Sequence, residues 1–400
     1  MNTFSLNQAS TLLNGLVQQM TGQSALTAIT NNATWISVAE KALQTGVDPV
    51  INALSQVWSR TIFAVREYDA RDGGLRMSLD RYGNAVRKLS PIADQMVDDD
   101  GYTYPAAYDG GQVDPYGTGL SVDPWIIRKQ KVLQTNFYGS DLFAQHYTTF
   151  KDQFDVAFSS PEEFVRFNAM NMTERRNDKE SFEESISKGL QANYIGALID
   201  ENNSERVIKL LTEYNTLTGL TLTAQDVYQA GNFEAFIRWM YSRIRTIVRQ
   251  MGIRSEKYQT VITGNPILRH TTPENMRIAL YTPFMEMINS MVASVTYHDD
   301  YMRLPAYDSV EYWQSIDTPG SISVTPVYTD TSANQKTGSA VAKDNIIGII
   351  HDRDAIGYAI TREDTNTPPL NARARYWNTF VSATFKTLTD VTEKGVVLLL

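Results

Sequence analysis

The chain has 400 residues, 42% of them apolar and 20% charged, and its 36 Lys and Arg against 45 Asp and Glu leave a net charge of −9. One hydrophobic core rarely fills that length, so two lobes or one lobe with long extensions are expected, and the acidic balance excludes a protein built to wrap nucleic acid by neutralising its phosphates. The absence of Cys removes disulfides, thiolate metal sites and thiol nucleophiles, and no apolar run reaches the length of about 18 residues that a membrane span needs.

Phe4, Leu12, Leu13, Leu16, Val17 and Met20 share one helical face, which predicts a short amphipathic helix. Further helices are expected around Trp35 to Leu43 and Pro49 to Trp58, joined by polar linkers as in an arm rather than a core. From Thr61 the pattern turns to strand: TIFAVREYDA, a turn at Gly73-Gly74, then LRMSLDRYGNAVRKL, which suggests a hairpin. Val97 to Pro124 then concentrate Gly, Asp, Tyr and Pro with almost no aliphatic side chains, a loop of a length that is usually functional. In an enzyme it would be a lid; in an assembly, an arm reaching a neighbour.

Ser160-Pro161-Glu162-Glu163 combines a capping Ser, Pro at the first helical position and Glu three residues after the cap, so a helix starts here. The apolar stripe Phe182, Ile186, Leu190, Tyr194 and Leu198 carries it to about Asp200, a rod of roughly 60 Å, with a break near Arg175 to Asp178 as the alternative. A second helix runs from Asn232 to Gly252, with Phe233, Phe236, Ile237, Met240, Ile244, Ile247, Val248 and Met251 on one face. Arg238, Arg243, Arg245 and Arg249 lie on the other, read as a solvated or salt-bridged face in preference to a phosphate-binding one. Beyond Gln259 strands and short helices alternate: strands at TVIT, MRIALY, VASVT, SISVTPVY and NIIGII, and helices opening at Thr272-Pro273-Glu274 and Thr282-Pro283.

Few residues suggest chemistry. None of the four His sits in a zinc-hydrolase context. His298-Asp299-Asp300 and His351-Asp352-Arg353-Asp354 mix imidazole with carboxylates, but the second reads better as a polar turn between two strands, with Arg353 compensating its neighbours. Ser185-Ile186-Ser187-Lys188 and Lys336-Thr337-Gly338 mimic two signatures of penicillin-recognising serine enzymes, yet the third is absent and Ser185 lies mid-helix. No catalytic, cofactor-binding or metal-ligating residue is therefore assigned.

In order, the elements are a helical arm, a hairpin with a long tip, a very long helix, an α/β lobe and closing strands. That order, with NIIGIIHDRDAIGYAI as late strand, turn and strand and YWNTFVSATFKTLTDVTEKGVVLLL as closing strands, resembles the Hong Kong 97-type fold of tailed-phage major capsid proteins. The resemblance implies an α+β fold with an N-terminal arm over residues 1–60, an extended E-loop hairpin over 61–135 and a peripheral domain with its spine helix over 136–204. An axial domain over 205–350 and C-terminal strands over 351–400, returning to the peripheral domain, complete it.

It implies a structural protein without catalysis, forming pentamers and hexamers of an icosahedral shell in the virion, assembled in the bacterial cytoplasm. The partners implied are a separate scaffolding protein, portal, decoration or connector proteins, and packaged double-stranded DNA held weakly. Lys88 is a candidate for an inter-subunit isopeptide link by location alone. The other readings are a tail or portal component and, after that, an enzyme with a long lid.

Overall fold

The computed structural model describes residues 74–77, 85–92, 132–138, 141–151, 161–263, 267–295, 306–332 and 334–400. The helices expected within 1–60, the strand from Thr61, the loop Val97 to Pro124 and His298-Asp299-Asp300 lie outside them. β1 (Ala85–Pro91) pairs antiparallel with β2 (Val132–Tyr138), Pro91 facing Val132. The first strand of the hairpin expected about Gly73-Gly74 lies outside the described residues; within them, Leu75 and Met77 exchange backbone hydrogen bonds with Tyr358, and Leu75 is buried there.

β3 (Asp141–Phe150) leads into α1 (Pro161–Asp200), a continuous helix of 40 residues and roughly 60 Å. No break occurs at Arg175 to Asp178, and the expected stripe is the buried one, with Leu190, Tyr194 and Leu198 in the core and Phe182 and Ile186 packed against it. Then follow β4 (Val207–Lys209), α2 (Leu210–Thr218), α3 (Ala224–Val227) and α4 (Ala230–Met251), which ends at Gly252 as expected. β5 (Met276–Tyr281), α5 (Thr282–Val295), β6 (Asp308–Val310), β7 (Ile322–Val324), β8 (Val327–Thr329), β9 (Gln335–Thr337) and β10 (Val341–Lys343) lead to β11 (Ile346–Asp352). The chain closes with β12 (Ile356–Asn366), β13 (Tyr376–Thr389) and β14 (Gly395–Leu399).

Three local expectations fail. TVIT is not a strand, because Thr260 and Thr263 give their N–H groups to the loop carbonyls of Val391 and Thr331 rather than to a ladder. Thr272-Pro273-Glu274 opens a single turn, closed by Asn275 N–H on Thr272 O, and β5 starts at the next residue. Val292 to Val295 extend α5, since an amphipathic helix already under way outweighs the weak strand preference of its last valines.

The central sheet has the order β4-β14-β11-β5-β6 and is covered on both faces. Val397 and Leu399 point toward α1, while Val396 and Leu398 point toward α2, α4 and α5. β11 splits likewise, Ile346 and Ile349 one way and Ile347 and Ile350 the other; their odd spacing is absorbed by a register shift at Gly348. Burial on both faces explains why NIIGII and GVVLLL read as unbroken apolar runs instead of alternating. A second sheet, β12-β13-β3, packs one face on α1.

The closing strands therefore divide. β12 and β13 join β3 beside the long helix, whereas 395–399, expected to return there with the rest of 351–400, fill the centre of the other sheet between β4 and β11. Five aliphatic-rich residues buried on both faces fit only a central strand.

Candidate functional site

The residues that looked catalytic are held apart or occupied. The Ser185 hydroxyl donates to Ser181 O of its own helix, and Lys336 stands 3.5 Å from Asp200. Fifteen residues of one helix separate Ser185 from Asp200, about 22 Å, so the two serine-enzyme signatures do not share a site. His351 and Asp352 end β11 inside the protein: His351 Nδ1 lies 2.8 Å from Asp352 O, and burial pulls the imidazole down to about 4, so it is neutral at pH 7. Asp352 accepts from the Thr271 hydroxyl (2.7 Å) and from Asp354 N–H (3.0 Å), the pattern of a turn that satisfies itself. Among the described residues no group of His, Asp and Glu is arranged to hold a metal ion, and no helix is long and apolar enough to cross a membrane.

The densest polar arrangement lies where the β1–β2 pair meets the turn between β13 and β14. Lys88 Nζ stands 2.7 Å from Asp390 Oδ2 and pairs with Glu393 as well, while Arg269 Nη1 meets Glu393 Oε1 at 2.6 Å. Arg269 also donates to the hydroxyls of Ser90 (3.0 Å) and Thr392 (3.2 Å), and Thr392 donates to Asp390 through its N–H (2.9 Å) and hydroxyl (2.6 Å). Two cations thus face two carboxylates, and the side chains of Asp390 and Glu393 are 1% and 8% exposed. Burial pushes the Asp390 carboxyl up, but Lys88 and Thr392 overcome it and hold the group below the usual range. At Glu393 burial prevails over Lys88 and Arg269, so its carboxyl is raised.

Arg206 secures the turn from behind. Fully buried, it donates to the carbonyls of Gly395 (3.1 Å) and Val391 (2.9 Å), to Thr260 Oγ1 (2.6 Å) and to Glu201 Oε2 (2.7 Å). A guanidinium suits this position, since its five donors diverge in one plane where a Lys ammonium could not reach so many acceptors. β1 is thereby fastened by charge to the turn between β13 and β14, while Leu89 and Val132 beside it are exposed. Lys88 has its ammonium engaged inside its own subunit, so its location on the hairpin does not present it to a neighbour.

A second feature is the outer face of the β12-β13-β3 sheet. The inner face meets α1 through Phe143, Phe182 and Phe385, with Phe143 and Phe182 centred 4.5 Å apart. The outer face shows Leu142, Phe150 and Phe380 at 69%, 50% and 41% exposure, and among the described residues the far edge of β3 is unpaired. Leu142, Phe380 and Phe150 follow one another along this face at four-residue intervals, Phe380 standing opposite His146. The sequence carries no local sign of either feature: Lys88 and Asp390 are 302 positions apart, and β3 and β13 meet only through the fold.

Residues 124–396 match the family described as Phi29-like phage major capsid protein. No curated protein matches the sequence. Among solved structures, the capsid structure of Staphylococcus phage Andhra contains a chain 10% identical, with a TM-score of 0.52 over 85% of this chain and 87% of that one. A chain in the structure of head fiber and inner core protein gp22 of native bacteriophage P68 is 9% identical, with a TM-score of 0.51 over 85% and 87% of the two chains.

Proposed function

This chain belongs to the Phi29-like phage major capsid protein family, and from that premise we propose how its elements build a shell. Its role is structural. In the Hong Kong 97-type plan, α1 is the spine along which the rest is laid, and β12, β13 and β3 with it form the peripheral domain. The five-stranded sheet with α2, α4 and α5 forms the axial domain, closed by β14. The hairpin rooted in β1 and β2 is the extended loop, and residues 1–60 are the arm.

Pentamers and hexamers of such subunits close an icosahedral shell around the genome in the virion, without catalysis. Assembly takes place in the host cytoplasm with a separate scaffolding protein and with portal and decoration or connector proteins as partners. The family match, spanning the second hairpin strand to the last strand, carries the reading. The buried ion cluster gives it a physical basis. A long excursion contacts neighbours usefully only if its root is fixed, because contacts spread over several subunits add avidity only when geometry allows them together.

The arm supplies the test. Deleting residues 1–20, with their stripe from Phe4 to Met20, is expected to leave a soluble, cooperatively unfolding subunit that assembles poorly in sedimentation. Normal shells from the truncated chain would overturn the assignment of that segment to a neighbour contact.

A further inference from the structure

The cationic face of α4 is paired in one part and unpaired in another. Arg243 makes a two-point contact with Glu213, at 2.7 and 3.0 Å, and Arg238 pairs with Glu234 one turn earlier, as expected of a salt-bridged face. Arg245 and Arg249 have no carboxylate partner among the described residues, and neither does Arg254 in the turn that follows. Lys257 donates to Gln250 Oε1 (3.2 Å) and lies 5.0 Å from the centre of the Tyr258 ring, with no carboxylate partner among the described residues. All four are exposed.

At about 100° per residue, Arg238, Ser242, Arg245, Thr246 and Arg249 fall within one stripe about 100° wide, directly opposite the buried Phe233, Met240, Ile244 and Met251. Lys394, behind the same turn, donates to Ile253 O (2.7 Å) and Ser255 Oγ (3.0 Å) and adds a further positive charge. Burial first, and Lys257 second, hold that ammonium down at about 8. Three arginines and a lysine without a carboxylate partner among the described residues thus lie along and just beyond the last turns of α4, with the exposed Glu256 between Arg254 and Lys257.

We propose that Arg245, Arg249, Arg254 and Lys257 form a docking surface for the phosphate backbone of duplex DNA, read without regard to base sequence. The inference rests on the capsid reading, which places such DNA beside the subunit. The neighbouring side chains favour a polyanion over a second protein. Ser242, Thr246 and Gln250 lie among the cations, the residue types that accompany Arg and Lys at phosphates, whereas a protein interface needs an apolar centre and this stripe has only Ile253 at its margin. Four contacts hold DNA weakly and release it with salt, which suits a genome that enters and leaves the shell. The net acidity of the chain is in this view an average over a surface with one basic stripe.

The test uses the full-length subunit before assembly, with a fluorescent random-sequence DNA duplex followed by anisotropy. Four phosphate contacts predict an affinity loss on the order of a hundredfold between about 50 and 200 mM salt. Replacing all four cations (R245Q, R249Q, R254Q and K257Q together) is expected to make the slope of log affinity against log salt shallower by about 3 to 4. A control with the same change in net charge, K209Q, R353Q, R362Q and R373Q together, is expected to leave the slope nearly unchanged. No binding by the wild type at low salt overturns the proposal, and so does equal loss in both variants. Unchanged DNA binding with failed assembly in the first variant also overturns it, since the stripe would then be a contact between copies. Shell formation by the wild type, scored by electron microscopy of the same preparation, tests the capsid reading separately.

Discussion

Replacing Lys88 by Met tests whether charge fastens the hairpin root. The Lys88 side chain is 19% exposed and lies against carboxylates that are 1% and 8% exposed. Its removal leaves Asp390 and Glu393 buried with Arg269 as the one remaining cation. Breaking a buried pair from one side costs about 3–5 kcal/mol, against about 0–1 kcal/mol for an exposed pair, and the partial exposure of Lys88 points to the lower end, about 3 kcal/mol. Urea unfolding of the unassembled subunit at pH 7, followed by tryptophan fluorescence, measures the difference. The double variant K88M/D390N is expected to recover most of the loss, because one cation and one carboxylate leave together and Arg269 still faces Glu393. A K88M stability within about 0.5 kcal/mol of the wild type would refute the reasoning, since that is what an ordinary surface substitution costs.

Two further substitutions probe the core. His351 is neutral in the folded protein, with a pKa lowered from 6.5 to about 4 by burial, so the stability it confers is complete above about pH 6.5 and is lost as pH falls toward 4. The difference corresponds to about 3 kcal/mol, and His351→Gln is expected to flatten the unfolding free energy against pH across that window; an unchanged slope would assign it to other groups. In Gly395→Ala the new Cβ would overlap the Tyr194 hydroxyl and stand 2.8 Å from Cζ of that buried ring, an overpacking cost of about 1–3 kcal/mol. Calorimetry should find part of it restored by adding Tyr194→Phe, and no restoration would mean that the ring itself cannot shift.

What the sequence made legible was local. The start of α1 at Pro161 follows from a cap, a proline and a glutamate within four positions, and α4 follows from an apolar stripe that ends at a glycine. The turn after β11 follows from charged residues between two apolar runs. What stayed hidden depends on distant partners. The pairing of β1 with β2 joins strands separated by forty positions in the sequence, and nothing local foretells that Leu75 and Met77 bond to Tyr358. GVVLLL was plainly a strand, but the sheet that receives it is decided by burial on both faces. Lys88 drew notice for its place on the hairpin, whereas its partners, Asp390 and Glu393, carry no local signature. The basic face of α4 was visible in full, but which of its arginines find a carboxylate depends on Glu213, on another helix.

Electron microscopy of the purified full-length protein tests the central claim most directly. The account predicts closed, roughly spherical shells; tubes or rings of a fixed small number of copies would contradict it.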